Sequence, residues 1–125
     1  MKDALLVSIG GAIGAFLRFS IGGWIQRHVL TFPVNTLVIN VVGSFLLSLI
    51  MYSAEYGGFV SRDFRVFFTI GVLGAFTTFS TLEYEAFHLL EQGKWSFFIA
   101  YLGGNIVLGF GAVISGKIMA NLLWR

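Results

Sequence analysis

The sequence predicts an all-α membrane protein of four transmembrane helices. Hydrophobic residues make up 57% of the chain and charged residues only 11%, where a soluble domain carries roughly 25% charged residues. Mean hydropathy is +0.86. The apolar residues also fall into runs of about 20, the length that crosses a hydrocarbon core, divided by short polar connections. The 125 residues therefore read as a single membrane domain, 1–125, with spans at approximately 4–24, 34–52, 66–90 and 95–122 and no room for a separate soluble domain. Lys2 followed by apolar residues has the look of a signal peptide, but the run reaches full-span length and lacks a convincing small-residue cleavage site.

Span one, Ala4 to Trp24, repeats small residues at every fourth position: Gly10, Gly14 and Gly22, with Gly11 and Ala15 beside them. One helix face is nearly bare backbone, which lets another helix approach closely. Arg18 occupies the same register. A central arginine costs about 2.5 to 3.5 kcal/mol on insertion scales, but one about 9 Å from the span's end can snorkel. Arg18 is read either as an anchor or as an anion-attracting residue. Ile25 to Val34 reads as a loop, with His28 solvated and Pro33, the only proline, leading into the next helix.

In span two, Thr36, Asn40, Ser44 and Ser48 recur at intervals of four, so their polar groups share one face. Asn40 brings two donors and an acceptor into the span. An interhelical hydrogen bond and a donor aimed into an anion pathway are both open readings. Glu55 to Arg65 is a polar connection.

Span three contains the most unusual stretch, Gly71 to Glu85, reading GVLGAFTTFSTLEYE. Thr77, Thr78, Ser80 and Thr81 place four hydroxyls inside an apolar span, a cost unless they line a cavity or buried interface. Gly71 and Gly74 weaken the helix, and the threonine hydroxyls compete for backbone hydrogen bonds. A break is expected near Gly74 to Thr78. Such a break exposes carbonyls on one half-helix and N–H groups on the other, suiting a cation and an anion in one place. Glu83 and Glu85 follow near the membrane surface, with Glu85 one turn from Thr81, and His88 reads as interfacial. Glu91 to Lys94 is a tight turn. Span four carries Tyr101, Asn105, Gly109 and Ala112 on one face, making Asn105 a second intramembrane asparagine, and ends in the interfacial anchors Lys117, Trp124 and Arg125.

Four spans put both termini on one side. Lys2, Arg62, Arg65 and Arg125 fall there, with Lys117 if it snorkels that way, against Arg27 and Lys94, with Arg18, on the other. This bias is weak under the positive-inside rule, so insertion in both orientations is permitted. Glycine and hydroxyl seams on several helices suggest a homodimer with its pathway at or near the subunit interface. Cysteine is absent, which excludes disulfides and thiolate metal sites. A formal charge of +2 without a basic cluster gives no footprint for nucleic acid.

The motifs GGAIGAFLRF (Gly10 to Phe19), NTLVINVVGSF (Asn35 to Phe45), GVLGAFTTFSTLEYE and Tyr101-xxx-Asn105-xxx-Gly109 resemble those of the Fluc family of fluoride channels. The third is specific, and the resemblance covers all four spans. It implies an antiparallel, dual-topology homodimer with two fluoride pores and a structural sodium ion at its centre. It further implies that backbone carbonyls at Gly74 and Thr77 bind the sodium, that Asn40 is the pore-facing amide and Phe79 a pore phenylalanine, and that Ser80 and Thr81 lie beside the ion track. Tyr101 and Asn105 would border the pore, Glu85 would mark its vestibule, and Arg18 would match the family's arginine of the first span. The chain departs from the pattern at Leu82, where a second pore phenylalanine is expected, at Asn105, where serine or histidine is common, and at Gly109, where serine can occur.

The expected function is passive fluoride export from the cytoplasm across the cell membrane, which protects the cell. The competing class is a small multidrug-type, proton-coupled exporter, but its mechanism needs a carboxylate deep in the membrane, and no acid lies centrally in this chain. A scaffold subunit would leave the intramembrane asparagines and hydroxyls without a purpose. No Ser-His-Asp arrangement, metal cluster or phosphate loop can be assembled for an enzyme.

Overall fold

A computed structural model describes residues 1–125, all helical and without strands. Helix α1 covers Lys2–His28 and α2 covers Val34–Gly57. A short α3, Arg62–Arg65, passes through a π-helical segment, Val66–Val72, into α4, Leu73–Phe76. Helix α5, Ser80–Glu91, resumes after a break at Thr77–Phe79, and α6, Trp95–Leu123, ends the chain. Lys2–His28, Val34–Gly57, Arg62–Glu91 and Trp95–Leu123 are each long and apolar enough to cross a membrane. The third of these is bent, as its sequence leads one to expect.

The helices overrun the hydrocarbon. With 27 residues, α1 is about 40 Å long, against a core of roughly 30 Å. Ile25 to His28 and Glu55 to Gly57, read as loop from their polarity, are therefore helical. Polarity marks where the membrane ends, whereas capping decides where a helix ends. Helix α2 stops at Gly58, whose φ of 65° is left-handed and favours glycine. The turn after α5 is a full Schellman motif: Gly93 N–H donates to Leu90 O, Lys94 N–H donates to Leu89 O, and Gly93 takes a φ of 71°. Ser61 caps α3 by accepting from Phe64 N–H at 3.1 Å. Arg62 forks onto the Asp3 carboxylate and Lys2 pairs with Asp63, tying the start of α1 to the start of the third span.

Little of the fold is held by an oily interior. Only 20 of 125 residues are buried, while Phe16, Phe19, Trp24, Phe87 and Phe110 are exposed. Such a surface would aggregate in water and suits lipid. Inside the bilayer, lipid tails are as apolar as leucine, so helices associate through close packing and interhelical hydrogen bonds. The glycines of α1 supply the first. A Cβ on Gly10 would stand 2.6 Å from Phe67 O, and one on Gly14 would collide with the Val72 carbonyl. The π segment presents Phe67 O, Gly71 and Val72 together on the patch that meets α1. This wider turn has no signature in the apolar pattern. Helices α2 and α6 share the most extensive contact, with Gly116 seated against Phe45 O and Ser48.

Two small apolar clusters complete the packing. Ile39, Leu73 and Phe76 join α2 to α4, and Leu82, Leu89 and Tyr101 join α5 to α6. Gly14→Ala is expected to lower stability by about 1 to 3 kcal/mol, the usual cost of overpacking, because backbone rather than a movable side chain blocks the new methyl. Gly11→Ala, with open space around its position, is expected to be nearly neutral. Thermal unfolding midpoints in detergent micelles compare the two.

Candidate functional site

The site is built where the third span breaks. Thr77 leaves α4 in an extended conformation, with φ −80° and ψ 157°. Its N–H and its hydroxyl both donate to Leu73 O, at 3.0 and 2.9 Å, so the last helical carbonyl in register is doubly satisfied. The next N–H does not continue the ladder. Thr78 N–H donates to Asn40 Oδ1 at 2.9 Å, while Asn40 Nδ2 donates to Thr78 O at 3.0 Å. One side-chain amide thus satisfies both backbone groups of the residue at the centre of the break. Thr78 Oγ1 donates to Thr81 Oγ1 at 3.1 Å and accepts from Thr81 N–H at 3.4 Å, which starts α5.

The break falls at the far end of the expected stretch, Gly74 to Thr78, and runs one residue past it. Gly74 lies within α4, and the helix departs at Thr77. Glycine lowers helix propensity, but it does not by itself divert a backbone bond. The competing acceptor on Asn40 does. A consequence falls on Gly74, because its carbonyl loses the N–H of Thr78 that a continuous helix would supply.

Asn40 also donates from Nδ2 to Asn105 Oδ1 at 3.2 Å, and Asn105 Nδ2 donates to Tyr101 O at 2.9 Å. The two intramembrane asparagines therefore touch, joining α2, the break and α6. One turn toward the membrane surface lies a second junction. Glu85 accepts from the Thr36 hydroxyl at 3.0 Å on one oxygen and from the Tyr101 hydroxyl at 2.7 Å on the other. Tyr101 is completely buried and Asn105 nearly so. Both Glu85 oxygens are held by neutral hydroxyls, which solvate a carboxylate in place of water.

Polar cavities flank the first junction. A cleft of about 550 Å³ is lined by Asn40, Ser44, Thr69, Gly74, Thr77, Thr78, Phe79, Leu82 and Asn105, among others. A cavity of about 330 Å³ is lined by Arg18, Asn35, Thr36, Thr78 and Thr81 among others. Thr78 borders both, so the Asn40–Thr78 contact stands between them. A third, of about 390 Å³, has Glu85, Tyr84, His88 and Lys94 in its wall.

Of the residues singled out from sequence, Asn40, Asn105, Gly74, Thr77 and Phe79 meet at the cleft. Arg18 and Thr81 meet in the cavity beyond it. Glu85 and Tyr101 pair with each other, and the Tyr101 hydroxyl is committed to that carboxylate. Glu85 does not bond to Thr81, its neighbour one turn back; Thr81 belongs to Thr78 instead. Ser80 stands exposed at the first turn of α5, and Phe79 is 70% exposed. Leu82 is buried against Leu89 and Tyr101. Sequence reading placed Thr36 on the polar face of α2 without a role and did not find its carboxylate, which lies 49 residues away. The hydroxyl spacing of four was the signal available, and it gave the face but not the partner.

Residues 5–117 match the family model described as CrcB-like protein, Camphor Resistance (CrcB). The chain is 48% identical over 120 residues to a protein of Methanosarcina acetivorans named fluoride-specific ion channel FluC 1, covering 96% of this chain and 92% of that one. It is 48% identical over 129 residues to FluC 3 of Methanosarcina barkeri, covering 93% and 98%. A FluC protein of Thermus thermophilus is 39% identical over 122 residues, covering 97% and 90%. The match reaches all four membrane helices, Asn40, Asn105 and the whole of the broken third span, and the chain belongs to the CrcB family.

Proposed function

We propose that this multi-pass membrane protein is a passive fluoride channel. The observation that carries the reading is the junction of Asn40, Thr78 and Asn105 at the helix break, with a polar cavity on each side. Fluoride is small, strongly hydrated and a strong hydrogen-bond acceptor, so its route needs closely spaced donors to replace water. The spare N–H of Asn105, the hydroxyls of Ser80 and Thr81 and, once its junction with Thr78 and Asn105 opens, the amide of Asn40 are such donors. Phe79 adds a ring edge, the positive part of the aromatic quadrupole. Arg18 and Glu85 mark the two outer cavities, where Arg18 attracts the anion and Glu85 fixes Thr36 and Tyr101. An inside-negative potential favours moving one anion outward by about 2.3 kcal/mol per 100 mV, so export across the cell membrane needs no coupled ion.

The working unit in this reading is an antiparallel homodimer with two pores. Phe79, exposed in the single chain, is free to border a passage shared with a second copy. The backbone fits a structural sodium ion. The Gly74 carbonyl is freed by the diversion of Thr78 N–H to Asn40, and Thr77 O is freed because Thr81 N–H turns to Thr78 Oγ1. Neutral carbonyl oxygens suit a hard monovalent cation, as they do at other unwound membrane helices. Such an ion would supply fixed positive charge beside an anion route.

Purified protein in liposomes is expected to release fluoride to an ion-selective electrode without releasing chloride at a comparable rate. Equal chloride release would overturn the assignment. Proton-driven efflux of a hydrophobic cation, lost on substitution of Glu83 or Glu85, would favour the exporter instead. Asn40→Ala and Phe79→Ile are each expected to cut fluoride flux at least tenfold while the variants still elute as the wild-type assembly. Wild-type flux in both would remove these residues from the pore.

Leu82→Phe introduces the ring that relatives of this type are expected to carry. Because Leu82 packs on Leu89 and the buried Tyr101, it is expected to cost about 1 to 3 kcal/mol by overpacking, read as a lower unfolding midpoint. Unchanged fluoride flux in that variant would mean that the second ring is dispensable here.

A further inference from the structure

We propose that the Ser44 hydroxyl is a further anion-contacting group, a station beside Asn40 on the path of a small, strongly hydrogen-bonding anion. The inference rests on the channel reading above and adds a residue to it. Four polar side chains form a stripe on α2: Thr36, Asn40, Ser44 and Ser48. Three are committed to other elements. Thr36 donates to Glu85, Asn40 to Thr78 and Asn105, and Ser48 to Val113 O at 2.6 Å. Ser44 makes no such bond.

A hydroxyl in the middle of a membrane helix ordinarily donates to the carbonyl one turn back on its own helix. This chain does so repeatedly. Thr69 donates to Arg65 O at 2.6 Å, Thr77 to Leu73 O at 2.9 Å and Ser115 to Gly111 O at 2.7 Å. Ser44 does not take that route either. It is half-buried and lines the 550 Å³ cleft together with Asn40, Asn105, Thr78 and Phe79.

Donor counting at the cleft sharpens the point. An asparagine amide has two N–H groups, and Asn40 directs its donors at Thr78 O and Asn105 Oδ1. Its amide is therefore fully engaged in holding the break. Asn105 has one N–H engaged, with Tyr101 O, and one to spare. The uncommitted donors offered by the two polar helices at the cleft are thus the second N–H of Asn105 and the hydroxyl of Ser44. Ser44 lies one turn of α2, about 6 Å along the axis, from Asn40. No carboxylate lines this cleft, so no fixed negative charge there repels an anion or takes these hydrogens from it. Ser44 gives an entering fluoride a hydrogen bond before the Asn40 junction has to open.

The test uses full-length protein in liposomes. Ser44→Ala is expected to lower fluoride flux roughly tenfold at low fluoride, the effect of one hydrogen bond to a charged group. Ser44→Thr, which keeps the hydroxyl, is expected to restore most of it, and Ser115→Ala, whose hydroxyl returns to its own helix, to leave it unchanged. The chain has no cysteine, so Ser44→Cys is a single reporter. Its modification by a charged methanethiosulfonate reagent is expected to be slowed by fluoride and not by gluconate. Wild-type flux in Ser44→Ala, or a Ser44→Cys that is unreactive or indifferent to fluoride, would overturn the proposal. If the unmodified protein released no fluoride, the channel reading itself would fall, and fluoride protection of Ser44→Cys would still decide whether the anion reaches this residue.

Discussion

The bonds between the Asn40 amide and both backbone groups of Thr78 are the constraint on which the rest of the structure depends. A helix cannot open inside hydrocarbon unless its freed N–H and C=O groups find other partners, since each unsatisfied group costs several kcal/mol. Asn40 supplies both partners from a neighbouring helix. Its position on α2 therefore decides where the third span may break, and the break in turn decides where α5 begins. The third bond, to Asn105, fixes α6 to the same point. Removing the amide would affect the architecture as well as any ion bound beside it, and the two effects need separate readouts.

Leu82 shows how a departure from a family pattern acquires a structural meaning. Seen in sequence, it is a missing ring. Seen in place, it is part of the apolar cluster that seats α5 on Tyr101, while also bordering the polar cleft. A larger side chain there has to satisfy both neighbours. The position links packing between two helices to the width of the cleft, which neither role alone would suggest.

Much of this was legible in the chain. Apolar run lengths located the spans, the four-residue glycine repeat of α1 marked a face that another helix approaches closely without saying which, and the hydroxyl cluster located a break to within a few residues. Those features are local or periodic, so a linear reading captures them. What escaped notice depends on partners far apart in sequence. Thr36 and Glu85 are separated by 49 residues and Asn40 and Asn105 by 65. Gly74 suggested a break because glycine is a weak helix former, but the actual departure awaited an acceptor on another helix. The π segment was also invisible, because Val66–Val72 reads as an ordinary apolar stretch and its wider turn shows itself only in which backbone atoms meet Gly10 and Gly14.

The break also divides the third span into two pieces that are held unequally. The part before it is pressed against α1 along the glycine seam and touches α2 as well, whereas α5 packs chiefly on α6. Beyond that contact, the Thr36–Glu85 bond and the Thr78–Thr81 pair are its main restraints. Local opening in proteins begins where buried contacts are fewest, and by that measure α5 is the less restrained half of the span, joined to the other at Thr77–Phe79. Phe79 sits on that joint, so its exposed ring stands where a tightly packed half-helix meets a more lightly held one.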